Sequence, residues 1–477
     1  MNWQAIRAGV IGNGLQRGDM PLLYADWTAS GRLYGPIEDF MRDRVGPWVA
    51  NTHSESSDTG RTMTHLYHES RQVIKQHVNA AERDVLVLTG TGMTGAMNKL
   101  QRMMGIGSRG SSGAEILPLV IITHMEHHSN QTSWHTRDVD VAMINPNEQG
   151  LPCLAHLAEI LEANSHRPQI IASVTACSNV TGIATPYHQI AEMLHAVGGF
   201  CCVDFAASAP YVNIDMHPKA PGAYLDAVLF SPHKFLGGPG SCGVLIFNPA
   251  LYRIDMPDQP GGGTVRWTNP WGEQQFYDDI ALREDGGTPG FLQAIRAALA
   301  IQLKASIGVA AIHDRELQLT KRMFEGLQGI PNLCLLEERH RARLPIFSFF
   351  IPGLHHELVV QLLNDRFGIQ CRGGCSCAGT YGHILLGVSP DDSHAITDEI
   401  NHGDLSRKPG WVRVSLHPSM SESYFDAIVS AIASVQANGA HWQKDYRFEV
   451  KTGVWTPLRA AENDQPTLRE CDLLAMA

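Results

Sequence analysis

Seven short apolar runs recur through the first 250 positions of the chain. They are Val85–Leu88, Leu117–Ile122, Val139–Ile144, Ile170–Val174, Phe200–Val203, Ala227–Phe230 and Gly243–Phe247. The runs are continuous rather than alternating, which predicts strands buried on both faces. Helical spacing separates several of them: from near Met93, over Ala155–Ala163 and over His188–Val197. Strands alternating with helices predict βαβ units, hence an α/β fold with a mostly parallel seven-stranded sheet. The pattern then changes. Leu292, Ile295, Leu299, Ile301 and Leu303 predict a long helix over Phe291–Ile307. Ile346–Ile351 and Trp411–Leu416 follow as strands, and His355–Phe367 and Glu422–Val435 as helices, the pattern of a smaller α+β domain. The segment Gly379–Lys408, rich in Gly, Asp, Ser and His, is expected to be a long loop. The polar tail after Asn438 shows no clear period. The expected organisation is an N-terminal segment 1–34 packing on the small domain, a large domain 35–290, a small domain 291–437 and an extension 438–477.

Composition narrows the function classes. Of 477 residues, 44% are apolar and 18% charged, ordinary for a globular chain with a sizeable core. Lys and Arg total 37 against 48 Asp and Glu, a net charge of −11 with no basic run; nucleic acid is not an expected partner. No apolar stretch approaches the ~18 residues of a membrane span. Met1-Asn2-Trp3-Gln4 is not followed by a basic region and an apolar core, so no secretory signal is expected. The ten cysteines are about 2% of the chain, far below the ~8–10% of a disulfide scaffold. Cys153, Cys177, Cys242, Cys334 and Cys471 are scattered, and Cys201-Cys202 lie within an apolar run. Cys371, Cys375 and Cys377 form a cluster. This usage fits a reducing compartment, the cytoplasm.

Four motifs follow predicted strands, where ligands of parallel sheets bind. Thr89-Gly90-Thr91-Gly92-Met93-Thr94-Gly95 lies between a strand and a helix. Its glycines let backbone N–H groups approach an anion at a helix N-terminus, with Thr91 and Thr94 as further donors. Taken alone it equally reads as a tight turn, and it lacks the Gly-Lys-Ser/Thr ending of a P-loop. Glu126-His127-His128-Ser129-Asn130 offers a His able to stack on a bound ring, or a solvated loop His. Asp204 closes an apolar strand, where it can pair with a protonated pyridine nitrogen, hold a metal or cap a helix. Ser231-Pro232-His233-Lys234 precedes a Gly-rich turn. A lysine desolvated there has a lowered pKa and becomes a nucleophile toward aldehydes; a surface lysine is the ordinary alternative.

In order along the chain, these motifs resemble fold-type I enzymes dependent on pyridoxal 5′-phosphate (PLP). Their spelling is most similar to the class V aminotransferase and cysteine desulfurase family. The resemblance runs from about residue 20 to 437 and includes Ser178-Asn179-Val180-Thr181-Gly182, Gly261-Gly262-Gly263-Thr264 and Gly287-Thr288-Pro289. It implies that Lys234 forms the Schiff base and that Asp204 keeps the pyridine nitrogen protonated. It further implies that His127 stacks on the ring and that Asn179 bonds the phenolate oxygen. Gly92, Met93, Thr94, Ser231 and His233 would hold the phosphate, and Thr264 would complete that site from the partner subunit of a homodimer. Arg413 matches the family's substrate-carboxylate arginine. One departure stands out. The family's Asp-x-Ala-Gln is here Asp204-Phe205-Ala206-Ala207, and Ala207 cannot make the glutamine's contact.

Within Arg372-Gly373-Gly374-Cys375-Ser376-Cys377-Ala378, Cys377 falls on the family's nucleophile position, with Arg372 placed to favour the thiolate. Cys371 reads as core and Cys375 as a loop residue or a persulfide relay. A metal site made with His383 is disfavoured by the short Cys-x-Cys bite. Ala378–Asp404 then reads as a lid with unusual His content. The expected activity is removal of sulfur from L-cysteine, or of selenium from selenocysteine, through a Cys377 persulfide, with release of alanine. A protein that accepts the sulfur is a possible partner. The rivals are another class V reaction (transamination, or a C–S β-lyase) and a non-catalytic sulfur or metal carrier.

Overall fold

A computed structural model of the protein describes residues 1–459; Cys471 and the end of the C-terminal extension lie outside the described residues. The seven apolar runs form one sheet of strands β1 (Val85–Thr89), β2 (Leu119–Thr123), β3 (Asp140–Ile144), β4 (Ile170–Thr175), β5 (Phe200–Asp204), β6 (Ala227–Phe230) and β7 (Gly243–Phe247). Their order is β1-β7-β6-β5-β4-β2-β3. All neighbouring pairs are parallel except the two made by β7, which runs antiparallel to β1 and β6. Both faces are covered, so side chains alternate between two cores. Cys201, Val203, Val228 and Phe230 face one core, and Cys202, Ala227 and Leu229 the other. Burial pushes both adjacent thiols, Cys201 and Cys202, far above the usual range, as expected of core fillers. Each buried aliphatic side chain contributes about 1.5–3 kcal/mol.

The helices α1 (Asp58–His77), α2 (Gly92–Met103), α3 (His128–His135), α4 (Leu154–Ala163) and α5 (Tyr187–Ala196) precede or connect these strands. Helix α6 (Phe291–Ile307) serves both parts of the molecule. Ala294, Ala297 and Ile301 enter the sheet's core, and Leu303 and Ile307 reach the second. That second core surrounds a small antiparallel sheet of order β8-β9-β11-β10. Its strands are β8 (Cys334–Leu335), β9 (Ile346–Phe350), β10 (Arg372–Gly374) and β11 (Trp411–Ser415). Helices α7 (Val309–Gln328) and α8 (His356–Phe367) cover it. No single helix among the described residues is long and apolar enough to cross a membrane; α6 and α7 pass that test only as a pair bent by 75°.

The N-terminal segment joins the same small sheet region. Leu23–Tyr24 pairs in parallel with Ile369–Gln370, and Asp26 bridges to Ser415. Ile6 and Trp27 are buried in the small core, where Trp27 stacks on His417 with ring centroids 4.1 Å apart.

One expectation fails. Gly379–Lys408 is not a long loop but holds helices α9 (Gly379–Leu386) and α10 (Pro390–Asn401). Its Gly, Ser, Pro and Asp residues are helix punctuation. Gly387 closes α9 in the left-handed region (φ 61°), the Ser389 hydroxyl caps α10 and Pro390 opens it. Helix α9 is anchored by Tyr381, buried beside Trp411. The described part of the tail, residues 439–459, carries secondary structure. Helix α11 runs from Glu422 to Trp442, and a hairpin of Tyr446–Glu449 with Val454–Pro457 follows. Phe448 and Trp455 of that hairpin pack on His355.

Candidate active site

The carboxyl ends of β1, β2, β4, β5 and β6 converge on one cavity of about 200 Å³. Its walls include Met93, Thr94, His127, Asn179, Asp204, Ser231, His233, Lys234, Arg372, Cys377 and Arg413. The chain positions that carried the motifs therefore meet, although they span more than half the sequence. Two anticipated residues do not line it. Gly92 lies just behind the wall. Thr264 is buried elsewhere in its own chain, where its hydroxyl donates to the Gly261 carbonyl at 2.7 Å.

At one end the N-terminus of α2 faces the loop after β6. The Met93 N–H donates to Ser231 Oγ at 2.8 Å, and Thr94 Oγ1 lies 2.7 Å from Ser129 Oγ. Gly92 adopts φ +60°, and a Cβ there would stand 2.8 Å from Ser231 Oγ and 3.0 Å from His233 Cε1. Only glycine leaves the cradle open. Hydroxyls, backbone N–H groups and a helix dipole make it suited to a phosphate ester. His233 is neutral, its pKa held down to about 4 by burial and then by Lys234.

The floor carries a carboxyl and an amine. Asp204 is buried and accepts from the Ala206 N–H at 2.7 Å. Burial pushes it up to about 6, against the pull of that bond and of Lys234. Lys234 ends a single 3₁₀ turn, Pro232–Lys234. Burial lowers it to about 8, opposed by Asp204 and reinforced by Arg413 and Arg372. Its neutral, nucleophilic form is thus accessible near neutral pH. His127 caps α3, its Nδ1 accepting the Ser129 N–H at 3.1 Å. Burial, then Lys234, depresses it to about 4. Its proton therefore sits on Nε2, and the ring offers a neutral π face. Behind it, buried Glu126 accepts from Thr123 Oγ1 (2.6 Å), Thr175 N (3.0 Å) and Asn130 Nδ2 (2.6 Å), tying β2, β4 and α3 together.

The mouth is formed by the cysteine loop. Ser376 and Cys377 both occupy the left-handed region, with φ of 51° and 58°. Such backbone costs about 1–2 kcal/mol per residue. It is held by Asn179 Nδ2 on the Ser376 carbonyl (2.8 Å), by the His128 N–H on the Cys377 carbonyl (2.7 Å) and by the Gly379 N–H on His128 Nε2 (2.9 Å). Among the nine described cysteines Cys377 alone is exposed. Cys371 and Cys375 instead pack against two separate clusters, the small core and the Trp411–Tyr381 cluster. His383 bonds Gly379 O and Ser393 Oγ within the helices that follow.

Arg413, 3% exposed, donates to the Asn179 carbonyl at 3.1 Å and to Asp26 Oδ1 at 2.8 Å, and its Nε has no partner. Asp26 Oδ2 receives Arg372 Nε at 3.1 Å. Asp26 thus bridges Arg413 and Arg372, a role that no motif announced. Thr28, Ala29, Thr175 and Cys177 also line the cavity.

The family model of aminotransferase class V matches residues 23–427. The chain belongs to this family. Two relatives bear the name "Probable cysteine desulfurase". One, from Halalkalibacterium halodurans, is 27% identical over 362 residues, covering 75% of this chain and 84% of the relative. The other, from Streptomyces coelicolor, is 26% identical over 404 residues, covering 80% and 92%. Among solved structures, the apo cysteine desulfurase of Thermococcus onnurineus superposes with a TM-score of 0.73 at 21% identity, covering 91% of this chain and 98% of that one. The cysteine desulfurase CsdA of Escherichia coli gives 0.73 at 21%, covering 92% and 99%. At these identities the structures establish the fold: fold-type I, with its large mostly parallel sheet.

The class V cavity fits a phosphorylated pyridine aldehyde on observations of its own. The Gly92 cradle is open, Asn179 Nδ2 keeps a second N–H beyond the one given to the Ser376 carbonyl, and Arg413 Nε is a buried donor without a partner at the same site. Ala207, in place of the family glutamine, forms an apolar stretch of wall.

Proposed function

We propose that this class V enzyme is a PLP-dependent cysteine desulfurase, taking sulfur from L-cysteine (or selenium from selenocysteine) and releasing alanine. The observation that carries the reading is the placement of Cys377. An exposed thiol is pinned, on a strained loop, at the mouth of the cavity whose floor holds Lys234 and Asp204. Gly92, Met93, Thr94, Ser231 and His233 hold the phosphate, Asp204 the pyridine nitrogen, Asn179 the phenolate oxygen and His127 the ring face. Bound there, PLP supplies an electron sink for the substrate's α-carbon.

The chain's residues do the rest. Arg413 binds the substrate carboxylate with donors kept in place by Asp26 and the Asn179 carbonyl, and Arg372 adds positive charge beside it. Lys234 Nζ, lowered to about 8, moves a proton at the α-carbon. The Cys377 thiolate attacks the substrate sulfur. The new S–S bond forms as the substrate's Cβ–S bond breaks, and the electron pair goes to the carbon, which is protonated. The balance is cysteine plus enzyme thiol giving alanine plus enzyme persulfide, with no other oxidant. The persulfide stands at the exposed mouth, within reach of a sulfur-accepting protein. This chemistry needs a reduced thiol, so the proposal places the protein in a reducing compartment such as the cytoplasm.

The protein is proposed to act as a homodimer, associating around the turn that carries Thr264, a residue with no exposed surface in its own chain. Support comes from the hairpin after Thr264, Val265–Thr268 with Gln274–Phe276, which carries Trp267 and the 83%-exposed Trp271.

The test is Cys377→Ser. It retains PLP and its absorbance but forms no alanine from cysteine. Release of pyruvate and sulfide by this variant at the wild-type rate would make the protein a C–S β-lyase instead.

A further inference from the structure

Helix α9 begins two residues after Cys377, and no side chain of its own caps it. Its N-cap is Ala378, which offers no acceptor. The first N–H groups of a helix have no partner within it, so an acceptor must come from outside. Here it comes from α3. His128 Nε2 accepts the Gly379 N–H at 2.9 Å, and the backbone N–H of the same residue donates to the Cys377 carbonyl at 2.7 Å. One residue therefore grips the chain on both sides of Ala378, which is itself buried in the Trp411–Tyr381 cluster. One turn along α3, Gln131 Oε1 accepts from the Thr380 hydroxyl at 2.9 Å. On the other side of the thiol, Asn179 Nδ2 fixes the Ser376 carbonyl. Left-handed backbone such as that of Ser376 and Cys377 persists only where surrounding contacts impose it.

The bond from Gly379 requires a bare Nε2, so it exists only with a neutral imidazole whose proton is on Nδ1. Protonation makes both ring nitrogens donors, sets N–H against N–H, and puts a positive charge at the positive end of α9. Burial, then Lys408, lowers the His128 pKa from 6.5, which keeps the ring neutral at neutral pH. Lys408 reaches it from the segment after α10. The other titratable groups around it are His127, with ring centroids 6.4 Å apart, the Cys377 thiol and, on α9, His383, whose Nδ1 bonds the Gly379 carbonyl at 2.8 Å. Because the folded pKa is lowered, the contribution of this cap is full above pH 6.5 and is lost as pH falls through the folded value.

We infer that the His128 imidazole is a positioning residue for the nucleophile: as the acceptor that caps α9, it holds the Cys377 thiol at the cavity mouth, and its protonation releases that hold. His128 touches neither the phosphate cradle nor the arginines, so it acts on the reaction only through Cys377. The kinetic part of this inference rests on the reading of Cys377 as nucleophile; the capping part does not.

The test compares three PLP-loaded proteins: the wild type, His128→Gln, whose amide oxygen reaches the place of Nε2 and does not titrate, and His128→Ala. The first readout is hydrogen exchange, by mass spectrometry, of the peptide spanning residues 376–386. At neutral pH the wild type and His128→Gln should be equally protected, and His128→Ala about fivefold less, the size of a lost cap. Below about pH 6.5 the wild type should lose protection relative to His128→Gln; His383 and Lys408 are common to both and cancel. The second readout is alanine formation from L-cysteine. In His128→Ala kcat should fall about tenfold or more, with KM and PLP absorbance unchanged, and His128→Gln should restore it. Equal protection in all three proteins at neutral pH overturns the inference. So does a wild type that follows His128→Gln at every pH, or a wild-type kcat in His128→Ala. Should His128→Ala fail to fold, the wild type against His128→Gln across pH decides alone. A wild type that forms no alanine refutes the proposed reaction and leaves the exchange readout to decide the cap.

Discussion

Asp26 is the residue on which the geometry of both arginines turns, and its removal has a computable cost. The Arg413 side chain is 3% exposed and Asp26 12%, at 2.8 Å. Deleting one partner of a buried ion pair costs about 3–5 kcal/mol, because the other charge is left stranded. The Asp26–Arg372 pair adds little: the Arg372 side chain is 50% exposed, and such pairs are worth about 0–1 kcal/mol. Asp26→Ala should therefore destabilise the apoprotein by about 3–5 kcal/mol. Asp26→Asn keeps an acceptor for Arg413, and a hydrogen bond to a charged group is worth about 1.5–3 kcal/mol, so its loss should be about half as large. The assay is urea unfolding of both variants, compared through the midpoint and slope. In the PLP-loaded protein, Asp26→Ala should also raise KM for cysteine about tenfold, roughly 1.4 kcal/mol, as Arg413 loses one of its two anchors. A loss below about 1 kcal/mol in Asp26→Ala, with KM unchanged, would refute the bridging role.

Other consequences follow from the same geometry. Gly92→Ala forces an alanine to φ +60° and its Cβ to 2.8 Å from Ser231 Oγ; PLP retention in equilibrium dialysis should fall about tenfold or more, from ~1–2 kcal/mol of backbone strain plus the clash. Lys234 titrates at about 8 in the apoprotein, so its rate of reaction with a simple aldehyde should rise with pH and level off above about 8; a rise continuing toward the ordinary lysine value would contradict the burial argument. Burial pushes Glu126 up to about 7 from 4.5. Because its folded pKa is raised, its stabilising contribution is full below pH 4.5 and is lost as pH rises through about 7. Glu126→Gln should flatten that part of the urea-midpoint profile.

Much of this architecture is legible in the sequence, for identifiable reasons. Strands such as Val85–Thr89 and Ala227–Phe230 are buried on both faces, so they stand out as apolar runs. The reversal of Gly243–Phe247 is not legible, because a run buried on both faces looks the same in either direction. Lys234, Asp204 and His127 follow strand ends, where a polar residue after an apolar run draws notice. The two helices of Gly379–Asn401 were hidden because their caps, Gly387 and Ser389-Pro390, are also loop residues. Asp26 was hidden differently. Its partners lie 346 and 387 positions away, and one acid at an isolated bridge near the N-terminus carries no local signal.

The most direct measurement of the central claim is the product balance of the PLP-loaded wild-type protein with L-cysteine, read together with a mass spectrum of the peptide carrying Cys377. The account predicts one alanine per chain in a single turnover and a Cys377 peptide heavier by one sulfur atom, with no pyruvate. Pyruvate and free sulfide with an unmodified Cys377, or alanine formed without sulfur on that residue, would contradict it.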